Sequence, residues 1–179
     1  MKIKEIKIKN FRCYENVKIK LNPDYTVLIG INGAGKSTIL DAISIALGGY
    51  ISTFDGMGTY GIDKSDSHYK MYEIGSSIER EHQFPVKIYA ECEIDKKQIS
   101  WRRGLNGAKE IIRYASEIQT EIKMGNKDVI LPVIAYYGTG RLWMQKKDRN
   151  LKKIQESFSR LKGYVDCIES ASNEKMMLK

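Results

Sequence analysis

The chain is short of the residues that build disulfide-stapled or metal-bound folds. In 179 residues it holds three cysteines and two histidines. Cys13, Cys92 and Cys167 are odd in number and widely spaced, so they make neither a disulfide framework nor a metal-ligand pattern. That usage suits a reducing cytoplasm. His68 and His82 stand far from any cysteine pair, which argues against a zinc site. Long apolar runs are missing too. The longest, Ile39 to Leu47, is broken by Asp41 and Ser44 and falls well short of a membrane span. The amino terminus alternates Lys with Ile and carries no apolar leader core. These absences predict a cytoplasmic location and no membrane partner. There is no internal repeat and no low-complexity tract.

What is present suits a soluble domain, or one large piece of a domain. Hydrophobic residues make up 42% and charged residues 29%, enough to bury a core at this length. The net charge of +8 favours acidic partners such as nucleotides or nucleic acid, although solubility alone accounts for it equally well.

Residues Lys2–Lys9 and Val17–Leu21 read as strands; in the second, Val17, Ile19 and Leu21 alternate with Lys18 and Lys20. Asn22-Pro23-Asp24 is turn chemistry. Tyr25–Ile29 then reads as a short buried strand that Gly30 breaks. From Lys36 to Leu47, Ile39, Ala42, Ile43, Ala46 and Leu47 recur at helical spacing, and Gly48-Gly49 is expected to end that helix. The stretch from Tyr50 to about residue 84 has no sustained period and reads as a long surface excursion, partly disordered. Val86–Ile94 alternates cleanly and turns at Asp95-Lys96-Lys97 into a second strand, Gln98–Arg103. Ile111, Ala115, Ile118 and Ile122 mark an amphipathic helix stopped by Gly125-Asn126. Val129–Tyr137 reads as another apolar strand leading to a Gly138–Arg141 loop, and the tail as helical in pieces.

Gly30-Ile31-Asn32-Gly33-Ala34-Gly35-Lys36-Ser37 has the Walker A spacing. Each part has a reason. Gly30, Gly33 and Gly35 let the backbone curl, with Ala34 between, so that successive N–H groups converge on phosphate oxygens. The helix that follows turns its unpaired N–H groups and positive dipole end, including those of Ser37 and Thr38, toward the same anion. Lys36 sets a point charge near the β- and γ-phosphates, with Asn32 beside the γ-phosphate. The Ser37 hydroxyl is a ligand for Mg²⁺, which takes oxygen donors and keeps several waters. ATP with Mg²⁺ is therefore the expected ligand.

A hydrolase of this type also needs an acid at the end of an apolar strand, to hold Mg²⁺ and position the attacking water. No apolar run here ends in Asp-Glu. Guanine readout by Asn-Lys-x-Asp is missing as well, since Gly125-Asn126-Lys127-Asp128 has the wrong register.

The opening Ile6-Lys7-Ile8-Lys9-Asn10-Phe11-Arg12-Cys13-Tyr14, followed by the Gly30–Ile43 segment, resembles the N-terminal lobe of ABC-type ATPase heads of the SMC, RecF and SbcC kind. Leu131–Trp143, Ser159–Tyr164 and Ser172–Lys175 look like a bacterial family of ATP-binding proteins, some linked to virulence or phage defence. The resemblance spans nearly the whole chain. It implies an α/β P-loop NTPase fold of ABC/SMC head-lobe type with an antiparallel β-rich portion. In such heads two protomers sandwich two ATP molecules, and the Walker A of one faces a Leu-Ser-Gly-Gly signature of the other. By position, Arg12 and Cys13 would approach the adenine and phosphates, a solvated strand-end charge being the other reading of Arg12. Gln145 would be the Q-loop ligand sensing Mg²⁺ and γ-phosphate, or else a plain surface glutamine.

Signature, Walker B acid, catalytic Glu and switch His are all missing from residues 1–179. The expectation is therefore the N-terminal part of a head, with a C-terminal half or a second head protomer as partner. Such a chain binds ATP but turns it over slowly or not at all alone. DNA maintenance or repair, or anti-phage defence, is the implied setting. A nucleotide- or partner-capturing module without hydrolysis is the first alternative, and a small P-loop kinase the second. Lys2, Lys4, Lys7, Lys9, Lys18 and Lys20 read as a solvated sheet face or as a ribbon tracking DNA phosphates. Trp101 beside Arg102 and Arg103 reads as strand packing with a charged edge, with nucleic-acid contact as the alternative. Tyr136, Tyr137 and Trp143, near the Gly138–Gly140 loop, are expected to pack around a strand end, with a direct adenine contact as the alternative.

Overall fold

The computed structural model describes residues 1–104, 108–138, 160–165 and 167–168. Among these the elements run β1 (Lys2–Phe11), β2 (Tyr14–Lys20), α1 (Lys36–Ile51), β3 (Tyr69–Ile74), β4 (Ser77–His82), β5 (Lys87–Ile94), β6 (Lys97–Arg103) and α2 (Lys109–Lys123), with short 3₁₀ turns at Lys64–Asp66 and Arg160–Tyr164. Four strands form one antiparallel sheet in the order β2-β1-β5-β6, while β3 and β4 form a separate hairpin. The architecture is α/β with an antiparallel β-rich part, as expected.

Alternation makes the sheet. Ile6 and Ile8 of β1 lie opposite Ile19 and Val17 of β2 and opposite Ala90 and Ile88 of β5. Ile88, Ala90, Cys92 and Ile94 are buried, whereas their neighbours Lys87, Tyr89, Glu91 and Glu93 stand on the other, partly solvated face. A period-2 pattern of this kind fixes the register, because a one-residue slip would turn the whole apolar set to water. Helices α1 and α2 cover the apolar face. The Trp101 side chain is fully buried there, and its indole N–H donates to the Ala46 carbonyl at 3.0 Å. Trp101 is thus a core residue.

Helix α1 does not stop at Gly48-Gly49 but continues to Ile51. Glycine costs a helix about 1 kcal/mol relative to alanine. Here the extra turn buries Tyr50 and Ile51, and Tyr50 meets Phe54 edge-on at 5.1 Å between ring centroids. Phe54 in turn stacks on Tyr164 at 5.4 Å. Gly49 also lets α2 approach, since a Cβ placed there would come within 2.9 Å of the Ala108 Cβ. Helix α2 ends as the sequence implies, with Gly125 at φ 84°.

Three other expectations are corrected. Tyr25–Ile29 is unpaired and only Leu28 of it is half-buried against the core; Tyr25 is 78% and Ile29 91% exposed. Val129–Tyr137 is likewise outside any sheet, with Val133 97% exposed. Both have the composition of buried strands, and neither meets a strand partner among the described residues. The excursion after Tyr50 is ordered into the 3₁₀ turn and the β3–β4 hairpin. A capping box closes that turn: Asp63 accepts from the Ser65 amide, and Asp66 accepts from the Asp63 amide at 3.0 Å.

Candidate nucleotide-binding site

The Gly30–Ser37 loop has the geometry that its glycines permit. Gly33 and Gly35 take φ of 82° and 89°, in the left-handed region that favours glycine. At Gly35 nothing larger fits either, because an added Cβ would lie 2.6 Å from the Tyr14 hydroxyl oxygen and 2.8 Å from Cys13 Sγ. Lys36 Nζ folds across the loop and donates to the carbonyls of Gly30 and Ile31, both at 2.7 Å. The amide of Ala34 donates to the Ile31 carbonyl at 3.3 Å, tightening the turn.

Helix α1 starts at Lys36 with Gly35 as its N-cap. No side chain caps it and no acidic residue lies in its first turn. The positive end of the helix dipole therefore meets no acidic side chain within its own first turn. Asn32 and Ser37 are exposed beside it, and Thr38 is half-buried. The arrangement is a cationic cradle of backbone amides and one ammonium group, suited to a polyphosphate.

The β1–β2 turn presses on this cradle. The Tyr14 hydroxyl donates to the Ala34 carbonyl at 3.3 Å, and the Cys13 thiol lies 3.8 Å from Thr38 Oγ1. Arg12, at φ 48°, donates from Nε to Asp66 Oδ1 at 2.8 Å and from Nη1 to Asp41 Oδ2. Partial burial works against its charge, but the hydrogen bonds to Asp66 and Asp41 leave its pKa raised. Asp41 also accepts a hydrogen bond from the Tyr136 hydroxyl. Burial and that bond to a carboxylate together push the Tyr136 phenol up.

The structure thus gathers Arg12, Cys13 and the 30–38 residues in one place. Gln145 and Trp143 lie outside the described residues. Tyr136 is engaged with α1, whereas Tyr137 is 67% exposed. Sequence reasoning assigned no role to Tyr14, Asp41 or Asp66, and Tyr136, expected beside a strand end, bonds to Asp41 of α1 instead. Only Asp41 carried a local signal, being one helical turn beyond Ser37 and Thr38 on the same face of α1.

A glycine-built phosphate cradle at the start of a helix defines a P-loop nucleotide-binding domain. The pattern of the AAA domain family matches residues 5–179, and the chain belongs to that family. Membership implies nucleotide binding. Shorter stretches are similar to larger proteins. One is 50% identical over 46 residues to an OLD nuclease of Thermus scotoductus, covering 26% of this chain and 8% of that protein. Another is 43% identical over 49 residues to a DNA double-strand break repair Rad50 ATPase of Halobacterium salinarum, covering 27% and 6%. A third is 46% identical over 43 residues to a DNA replication and repair protein RecF of Lactococcus lactis subsp. cremoris, covering 24% and 12%. The matched stretches are thus a small part of each relative. A solved chain from work on ATP-driven dimerization and DNA-stimulated activation of SMC ATPases is 19% identical, with a TM-score of 0.45 over 74% of this chain and 87% of that one. Among the described residues no helix is long and apolar enough to cross a membrane.

Proposed function

We propose that the chain is the ATP-binding portion of an SMC/RecF/Rad50-like ATPase and acts as a nucleotide-gated switch. The observation that carries this reading is the uncapped α1 N-terminus behind the Gly33–Gly35 curl, with Lys36 lying across it. Mg·ATP is the ligand, Ser37 is the protein's oxygen ligand to the metal, and Arg12 and Cys13 border the nucleotide. When bound, Mg²⁺ draws charge from the β- and γ-phosphates; the chain's own residues bind and orient them.

Catalysis needs a partner on this reading. Among the described residues no acid lies in the first turn of α1, while the apolar segments 25–31 and 129–137 leave Val27, Ile29, Ile31, Ile130, Val133 and Tyr137 exposed. A complementary C-terminal half or a second head protomer would cover those segments and bring the acid that positions water. ATP then joins the two surfaces, and hydrolysis releases them. The relatives' names point to DNA replication and repair as the setting, while defence against foreign DNA rests on the sequence resemblance alone.

A DNA partner is supported by the outer face of the sheet. The register aligns Lys18, Lys7, Tyr89 and Arg102 in one row across β2, β1, β5 and β6, with Lys9 and Lys87 paired in the next. Lys7 Nζ sits 4.8 Å from the centre of the Tyr89 ring. A cleft of about 720 Å³, lined in part by Lys87, Tyr89, Arg102 and Lys109, continues this face.

Phosphate release from Mg·ATP tests the switch reading. The isolated chain is expected to release phosphate far below ordinary enzyme rates of about 1–10³ s⁻¹. Ordinary turnover that disappears in Lys36→Ala would contradict it. For DNA, affinity should fall steeply with salt, and weaken in Lys7→Glu/Lys87→Glu.

A further inference from the structure

Asp41 is the place where three separate pieces of chain meet the P-loop helix. One carboxylate oxygen accepts from Arg12 at the β1–β2 turn, and the other accepts from the Tyr136 hydroxyl in the open apolar segment. The third piece arrives through Arg12, whose Nε is held by Asp66 of the 3₁₀ turn and whose backbone N–H donates to the Asp66 carbonyl at 2.7 Å. His68 Nδ1 lies 2.7 Å from the Arg12 carbonyl, closing the turn from the opposite side. The Asp41 side chain is only 27% exposed. It lies four residues after Ser37, so just over one turn of helix, about 6 Å of rise, separates the network from the phosphate end.

We propose that Asp41 is a positioning residue for nucleotide binding. It fixes the Arg12 guanidinium, and with it the Cys13–Tyr14 turn that presses on Gly35, in register with the loop amides. Through its second oxygen it ties the Tyr136 segment to the same helical turn. Occupancy of the P-loop and the placement of residues 129–137 are thereby coupled through one carboxylate. Arg12 is not an idle surface cation, because its two partners belong to different elements and each fixes one edge of the guanidinium plane. This assignment rests on the P-loop reading given above.

Calorimetric titration of Mg·ATP into the full chain tests it, with Asp41→Asn, Arg12→Gln, their double variant and Asp41→Glu. Asparagine keeps the size and removes the charge. It should weaken binding about tenfold, or about 1.4 kcal/mol. Arg12→Gln should weaken it similarly, and the double variant should bind no worse than Arg12→Gln alone. Asp41→Glu, which keeps the charge, should fall between Asp41→Asn and the parent. Amide exchange across 133–138 should quicken in Asp41→Asn and not in Arg12→Gln. Unchanged affinity in Asp41→Asn overturns the assignment. So does a loss that adds in full to that of Arg12→Gln, since that would mean general damage to the helix. A parent chain that binds no Mg·ATP at all overturns the P-loop reading and this assignment with it.

Discussion

The four-stranded sheet and the two apolar segments beside the P-loop are built from similar residues, yet they end in opposite conditions. In the sheet, Ile6, Ile8, Ile88, Ala90 and Cys92 are wholly buried and each strand has its antiparallel neighbour. In the segments, Val27, Ile29, Ile31, Ile130 and Val133 are 66% exposed or more, and no strand among the described residues pairs with either. β-propensity is a statement about fitting a half-buried pleated surface, so it yields a strand only where a neighbouring strand is available. Exposed apolar strand-like chain is a template for pairing with another polypeptide. The first region covers its apolar residues within itself; the second leaves apolar side chains uncovered among the described residues, and residues 25–31 run directly into the P-loop.

That contrast can be broken by mutation. The largest effect belongs to the sheet's core: Trp101→Ala, which leaves a large cavity and a lost bond to Ala46, should destabilise the chain by about 3–5 kcal/mol in urea unfolding. Gly35→Ala comes next. Its φ of 89° and the crowding by Tyr14 and Cys13 should cost about 1–3 kcal/mol and most of the Mg·ATP affinity, and Tyr14→Phe should not restore either. A smaller effect is alkaline softening of the packed region. Burial raises the pKa of Tyr50, takes Tyr164 to about 12 and takes the Cys92 thiol to about 12. The native chain therefore keeps protons that the unfolded chain gives up. Stability from these groups is fully present below their ordinary pKa values and declines as pH rises toward 12. The urea midpoint measured from pH 8 to 11 should fall at the alkaline end. Smallest of all, Ile29→Ser and Val133→Ser should change the isolated chain's stability by less than about 0.5 kcal/mol. If they cost as much as a core truncation, the two segments are not open and the contrast is void.

The sheet was legible in the sequence because its signal is local. Val86–Ile94 alternates residue by residue, Asp95-Lys96 takes the positive φ of a tight turn, and Ile111 and Ala115 recur at helical spacing. The phosphate cradle was legible for the same reason, since Gly33, Gly35 and Lys36 act within one loop. What failed to show was non-local. Whether Tyr25–Ile29 is a strand depends on a neighbour that its own residues do not name. Helix α1 passes through Gly48-Gly49 because Tyr50 meets Phe54 and Tyr164, a contact that reaches more than a hundred residues along the chain. The β3–β4 hairpin gave no alternation because β4 is exposed along its whole length and buries no face. Asp41 looked like a polar interruption of an apolar run. Its role rests on Arg12, 29 residues earlier, and Tyr136, 95 residues later.

The claim on which the rest depends is that the amides from Asn32 to Thr38, with Lys36, form a working polyphosphate site even though the flanking segments are open. Titrating Mg·ATP into the chain and into Lys36→Ala by calorimetry tests it directly. The parent should bind one nucleotide, and the variant about a hundredfold more weakly, in keeping with roughly 3 kcal/mol for a charge-assisted contact to phosphate. Equal heats for the two proteins, or none for either, would contradict the account.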